Sequence, residues 1–578
     1  MTSGTDPITF EVVRNALASI ADEMALIVMR SAVSPVVRDT MDYSTALCDR
    51  DGRIIAQGLT LAVQLGAFPD IMAIIRERFA SEARAGDVYI ANDPYGSGGQ
   101  HLPDIYIIKP IFVDDVLRGY AATMAHHCDV GGIAPGSVAL HATEIHQEGL
   151  RLPLLKLYDG GAPNDTLFQV IERNTRLPNQ VLGDIQAQIA ACRAAEQGFL
   201  DLHRRYDADA LDHYIEALQD EAERRMRAAI RTIPDGNYSF TDWIDGVDDP
   251  PTPLAIAVTV TINGDEVSVD FTGTSPQIDA GINCPIAMSR SATFCAIRCL
   301  AEEDIPNAEG YMRPVTVRAP EGTIVNPLPP AACGARGVIG YRVFDAIMGA
   351  LAEIVPDRVV AGGEGGPTLF SVGGIHSGRP YVLTEVLVST WGARATLDGL
   401  DGVSNPAANL SNYPVELVES EMPLKVTQYG LVSDSGGAGF RRGGLAAIRE
   451  FEFLGEKAEF TLRTDRRDHP PYGIAGGRPG ASSTNTFLPR TGKTQTLPTM
   501  PMQSYVARRG DRVSLISAAG GGYGAAHERE VERVLDDVLE GRVSVQSARD
   551  LYGVAIDLPR GEIDEVETRR LRSRRGAE

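Results

Sequence analysis

Apolar residues recur at helical spacing through "ITFEVVRNALASIADEMALIVMRSA", from Ile8, with no Gly or Pro inside. This pattern predicts a long first helix. The stretch "SPVVRDTMDYSTALCDRDGRII" then sets Asp51-Gly52 between apolar runs, which is a hairpin signal. "DVYIANDPY" and "DIYIIKPIFVDDVLRGYAATMAHH" read as strands, with Pro and Gly marking the loops between them. From Leu177 to about Ile233 the chain turns to Ala, Glu, Gln, Arg and Leu, predicting a pair of long helices with charged outer faces. "IPDGNY" breaks that pattern, and "LAIAVTVTINGDEVSVDFTGT" places two β-rich runs around Asn263-Gly264, a second hairpin. Helices are expected near 287–301 and 340–355, followed by short apolar runs among Gly and Pro as far as "SLISAAGGGYG". A polar helix over about 527–551 and a frayed Arg/Glu-rich tail close the chain.

These elements predict a mixed α+β fold in one large interlocked body. Its expected parts are an N-terminal α/β region over 1–175, a helical region over 176–235, a β-rich region with glycine-rich loops over 236–526, and a C-terminal helix and tail over 527–578. There is no internal repeat.

With 578 residues the chain is long enough for several domains or one extended core. Its 54 Lys+Arg against 77 Asp+Glu give a net charge of −23, which opposes binding to nucleic acid phosphates and to anionic membranes. No apolar run reaches the roughly 18 residues of a membrane span. The start, "MTSGTDPITF", lacks the basic and apolar regions of a secretory signal. The seven cysteines are scattered and include no Cys-x-x-Cys pair, as expected of reduced thiols in a cytoplasmic protein.

Chemistry concentrates in one segment. His101, His126, His127, His141 and His146 are five of the ten histidines, and Asp104, Asp129, Glu144 and Glu148 accompany them. "HLPD" sets His101 and Asp104 across a bend, and "MAHHCDVGG" ends a strand with adjacent histidines that must point to opposite faces, so one of them can join His101. Imidazole and carboxylate without thiolate suit Zn, Mn or Fe(II). Asp42 of "DTMDYS" is the leading fourth ligand, with Asp39 and Asp129 as alternatives. His127 and Asp129 can instead orient the ligands. The competing interpretation is a set of polar loop residues and hydrogen-bonded core histidines. "TGKT" at 491–494 ends like a phosphate-binding loop but has Phe487 where that motif needs Gly. "DSGGAGFRRGG" and "AAGGGYG" offer backbone amides to an anion, or serve as structural turns. Cys128 is a nucleophile only if its thiol ionises, and otherwise a small buried residue.

Together, "MDYSTALCDRDGRIIAQ", "NDPYGSGGQHLPDIYIIKPIF", "AHHCDVGGIAPGSVALHATEIHQEGLRLP", "INCPIAMSRSATFCAIRCL", "SDSGGAGFRRGG" and "SAAGGGYGAAHEREVERVLDDVLEGRVSVQSARDLYG" resemble, in order, the hydantoinase B/oxoprolinase family. That family includes the B-type components of ATP-dependent hydantoinases, the C-terminal part of 5-oxoprolinases, and subunits of acetone and acetophenone carboxylases. The resemblance implies a divalent metal (Zn, Mn or Fe) on Asp42, His101, Asp104 and His126. It also implies ATP bound by a partner A-type subunit, phosphorylation of a cyclic amide carbonyl there, and hydrolysis of the activated ring at this chain's metal. Glu144 and Glu148 are candidate general bases, with His127 a further catalytic candidate. Many members have His where this chain has Gln64. The expected assembly is a cytoplasmic hetero-oligomer acting on a small cyclic amide. A ketone carboxylase subunit, or a non-catalytic scaffold with a structural metal, is the alternative.

Overall fold

The computed structural model describes residues 6–79, 82–247, 249–302 and 304–575. The start at 1–5, read as lacking a secretory signal, and the tail end at 576–578 lie outside the described residues. The predicted first helix spans Pro7–Ser31. The Asp6 carboxylate caps it by accepting the Thr9 N–H at 2.9 Å, and one face buries Phe10, Val13, Leu17, Met24 and Val28.

The N-terminal strands form one antiparallel sheet: β1 (Tyr43–Asp49), β2 (Ile54–Gln57), β3 (Val88–Ala91), β4 (Asp104–Val113), β5 (Val116–His126), β6 (Leu155–Asp159) and β7 (Ala162–Pro163), in the order β2-β1-β5-β4-β3-β6-β7. Asp51-Gly52 turns β1 into β2, with Gly52 at φ 77°. Asp114 and Asp115, both at positive φ, turn β4 into β5 with the twist a tight hairpin needs.

Alternation of side chains gives this sheet two different faces. Odd positions such as Leu47, Ile105, Ile107, Ala121 and Ala125 join the main core, which the helices Pro7–Ser31 and Pro178–Arg205 cover. Even positions such as Ala46, Tyr106, Ile108, Ala122 and Met124 form a second core with Phe68, Ile71 and Ile75 of the helix Phe68–Phe79.

The expected helical pair is Pro178–Arg205 and Ala208–Ile230, preceded by a shorter helix Asp165–Asn174. The hairpin at Asn263-Gly264 joins strands Leu254–Asn263 and Glu266–Asp270 of a four-stranded sheet, against which the helix Gly337–Leu351 packs. Two further sheets follow. One runs Arg379–Leu387, Thr368–His376, Lys457–Arg463, Tyr505–Arg508, and its core shares Phe370, Phe451, Phe453 and Phe460 with the other. The main core draws on residues from Phe10 to Met500, so the first three predicted segments contribute to one hydrophobic interior. Among the described residues, no helix is long and apolar enough to cross a membrane.

The C-terminus departs from expectation. The single polar helix over 527–551 is two helices, Val531–Leu539 and Val545–Asp550, because Gly541 takes φ 73° and Ser544 caps the second by accepting the Ser547 N–H at 3.0 Å. The tail is ordered over Glu565–Arg575. There the Thr568 hydroxyl accepts the Ala555 N–H, and the Arg572 guanidinium donates to the Arg529 carbonyl.

The glycine-rich loops have a structural role. Their amides are spent on one another: Gly437 N–H on the Gly520 carbonyl, Gly522 N–H on that of Arg478, and Arg441 and Tyr523 reciprocally. A methyl group on Gly443 would collide with the Gly520 carbonyl oxygen. Gly443→Ala is therefore expected to lose about 2 kcal/mol or more, read as a lower denaturation midpoint.

Candidate functional site

Strand order brings distant residues together. Asp42 directly precedes β1, Asp104 opens β4 and His126 closes β5, and these three strands are neighbours. Asp104 pairs with His126 in register, and the His126 N–H donates to the Asp42 carbonyl at 2.9 Å. All three numbers are even, so the side chains share the face that carries the smaller core.

His101 reaches the same point from the preceding loop. That loop bends through Gly98 at φ 72°, where a Cβ would lie 2.9 Å from the backbone of Asp70 and Ile71, and closes with the Asp104 N–H on the His101 carbonyl at 3.1 Å. Pro103 leaves its carbonyl to accept the His127 N–H at 2.8 Å.

One ligand-capable atom from each of His101, Asp104 and His126 lies within 4.8 Å of the others, and all three residues are buried. The His101 and His126 rings are 4.9 Å apart. His101 Nδ1 is 2.8 Å from the Gly334 carbonyl, which can only accept, so Nδ1 carries the proton. Burial, then the Arg336 charge, pull the His101 imidazole below its ordinary pKa and keep it neutral. Nε2 is then a lone pair, facing Asp104 Oδ1 at 3.0 Å. Burial opposes ionisation of Asp104, but Arg336 and His101 outweigh it and hold the carboxyl well below the usual range. Two acceptors face each other with no hydrogen between them. A cation resolves this conflict. His126 is neutral as well, since burial followed by His101 pulls it down to about 3, and its Nδ1 is buried with no hydrogen-bond partner. An orphaned imidazole nitrogen and a lone pair facing a carboxylate, in an N,O donor set, fit a divalent metal.

Asp42 lines the same cavity. Its Oδ1 accepts from Gln64 Nε2 at 2.6 Å, and Gln64 Oε1 in turn meets the Ser44 hydroxyl at 2.7 Å. Burial, then the nearby Asp104 charge, push the Asp42 carboxyl up to about 7, with Arg336 and Gln64 opposing. The cavity also includes Arg336, Tyr341 and Arg463, with Val138, Met288, Leu369 and Leu410 as apolar wall. Its volume of ≈ 50 Å³ admits an ion and a few waters, one water needing roughly 10–15 Å³.

The other candidates lie elsewhere. His127 faces the opposite core, where its Nε2 meets Gln188 Oε1 at 3.1 Å while Gln188 Nε2 donates to the Ile105 carbonyl. Glu144 is exposed on a main-chain bridge to Ala331. Glu148 is buried one layer behind the cavity, accepting the N–H groups of Cys333 and Gly334 at 3.1 and 2.6 Å. Burial pushes it up to about 8 against those bonds. It therefore fixes the loop whose Gly334 carbonyl orients His101. Asp129 is tied to Arg176 at 2.8 Å and Asp39 to Arg38 at 2.7 Å. Cys128 is buried, and burial raises its thiol well above the ordinary range. Sequence reasoning missed Arg336, Tyr341 and Arg463. The signal available for the first two was a pair of polar residues at the start of an apolar helix in "GARGVIGYR".

Comparison with known proteins gives consistent results. The profile of the hydantoinase B/oxoprolinase family matches residues 6–526. The B chain of a putative D-/L-hydantoinase from Pseudomonas sp. (strain NS671) is 34% identical over 98% of each chain. The crystal structure of the ATP-dependent caprolactamase from Pseudomonas jessenii superposes with TM-score 0.92 at 31% identity, covering 99% of this chain and 100% of that one. A nucleotide-free acetone carboxylase structure shares the fold, with TM-score 0.88 at 18% identity over 98% of this chain and 83% of its own.

Proposed function

Since the chain belongs to the hydantoinase B/oxoprolinase family, we propose that it is the metal-holding subunit of an ATP-dependent enzyme that hydrolyses cyclic amides, working with a separate ATP-binding subunit of the A type. The observation that carries this is the lone pair of His101 Nε2 facing the ionised Asp104 Oδ1 at 3.0 Å. His101, Asp104 and His126 hold the ion, and Asp42 completes the set from the same cavity wall. A bound Zn, Mn or Fe(II) would supply Lewis acidity and favour ionised water. The chain's own residues do the rest. Gly334 fixes the tautomer of His101, Arg336 keeps Asp104 ionised, and apolar walls limit bulk water.

ATP enters through the partner. A lactam or imide is a poor electrophile because of amide resonance, and phosphorylating its carbonyl oxygen supplies a leaving group. The 491–494 "TGKT" segment sits in an exposed loop after the strand Thr484–Leu488 and lacks the glycine of a phosphate loop, which supports nucleotide binding elsewhere in the assembly. The relatives, named as one component of a hydantoinase and as the beta component of a caprolactamase, support the same division of labour.

The test is ATP turnover by this chain plus its A-type partner against lactams, hydantoins and ketones, with and without bicarbonate. ADP release coupled to ring opening, independent of bicarbonate, is expected. Turnover of a ketone with strict bicarbonate dependence would replace this reading with a carboxylase role. A metal-bound complex inert toward every substrate would leave a structural role.

A further inference from the structure

Arg463 ends the strand Lys457–Arg463, is 5% exposed and lines the cavity with Asp42, His101 and His126. Its Nη1 and Nη2 donate to the carbonyls of Ala335 and Pro367 at 3.2 and 3.1 Å, and its Nε is buried without a partner. Two of five donors are thus visibly used. The other deeply buried arginines each have a carboxylate: Arg342 has Asp242 and Asp465, Arg449 has Glu385, Arg466 has Asp242 and Asp345, Arg529 has Asp398 and Asp537. Among the described residues, Arg463 forms no such ion pair. Asp465 and Glu364 act on it only through space, while Arg336 repels it, and burial pushes the guanidinium down to about 10. A buried cation without an anion is costly to hold. Tyr341 stands beside it: a Cβ built on Gly337 would be 3.5 Å from both Arg463 Nη1 and Tyr341 Cε2.

We infer that Arg463, with Tyr341 beside it, is the oxyanion-recognition group of this cavity and receives the phosphoryl group of the activated substrate. This rests on the function proposed above. A guanidinium suits it, because its planar fork matches phosphate oxygens and stays charged where an ammonium would lose its proton. The placement also explains the missing counter-ion: a resident carboxylate on Arg463 would compete with the incoming anion.

The probe is inorganic phosphate, titrated calorimetrically into the metal-loaded full chain, with acetate and bicarbonate as comparisons. Phosphate is expected to bind. Arg463→Gln should weaken it at least 10-fold, with metal content and unfolding midpoint unchanged, and Tyr341→Phe should weaken it less. Equal phosphate affinity in wild type and Arg463→Gln, or no binding by wild type, would overturn the inference. Acetate or bicarbonate binding as tightly as phosphate would overturn the phosphoryl assignment. If Arg463→Gln does not fold, wild-type crystals soaked in tungstate decide: tungsten beside the guanidinium supports the inference, and its absence there sinks it. Phosphate binding needs neither ATP nor partner. An inert reconstituted enzyme that still binds phosphate through Arg463 would refute the proposed function alone, and an active enzyme whose phosphate affinity ignores Arg463 would refute this inference alone.

Discussion

Alanine at His101 or His126 is expected to strip the purified chain of its divalent ion and to abolish ATP-coupled ring opening, with the fold retained. Each change removes one of three converging donors in a buried site, so metal affinity should fall by more than the roughly 10–100-fold that losing an outer-shell partner costs. Asp104→Ala is a harsher test, because it also strands the Arg336 guanidinium, which pairs with the second Asp104 oxygen. That change should cost about 3–5 kcal/mol of stability in addition. His127→Ala is the control. It sits next to His126 in the chain but hydrogen-bonds Gln188 on the other face, so it should keep the metal and lose about 1–3 kcal/mol. Metal content by elemental analysis, alongside unfolding midpoints, separates these outcomes. Ligand variants that keep full metal and activity would refute the assignment, as would metal loss from His127→Ala alone.

Arg466→Met should produce the largest loss of stability outside the site. Arg466 and Arg342 are both buried and hold Asp242 between them, at 3.1 and 3.3 Å; Arg466 also pairs with Asp345 at 2.7 Å and Arg342 with Asp465. Three carboxylates already face two guanidiniums. Removing Arg466 leaves Asp345 without a cation in a site that water does not reach, at a cost of about 3–5 kcal/mol. The effect carries a pH signature. Burial holds the Asp345 carboxyl up at about 6, with the arginines pulling it down. Because this folded-state value lies above the unfolded one, ionisation penalises folding as pH rises through it. Without Arg466 the value climbs further. The deficit should therefore be full near pH 8 and shrink as pH falls toward 6, where Asp345 takes up a proton. Urea midpoints of wild type and variant across that range check this, and a pH-independent deficit would contradict the electrostatic account.

Local pattern carried most of the fold. The uninterrupted helical spacing after Ile8, the turn residues Asp51-Gly52 and Asn263-Gly264, and the Ala/Glu-rich run after Leu177 each gave an element where expected. The C-terminus was misread because helical composition continues across Gly541, and whether a glycine ends a helix depends on the neighbours that hold it in the left-handed region. The tail was misjudged for a related reason. Its composition is that of a solvated helix, and the bonds from Thr568 and Arg572 that anchor it involve residues far back in the chain.

The candidate site divides in the same way. Sequence by itself determined that imidazoles and carboxylates gather around a bend at His101-Asp104, and strand alternation required His126 and His127 to part company. It did not determine which of them meets His101, nor that Glu148 supports a loop while Glu144 is in solvent. Those outcomes depend on which strands are neighbours, on register, and on which core covers each face. Arg336 and Arg463 lie hundreds of residues from the histidines, and nothing local marks one as paired with a carboxylate and the other as unpaired. Only the tertiary structure decided that, because the cost of a buried charge depends on every group around it, and those groups come from the whole length of the chain.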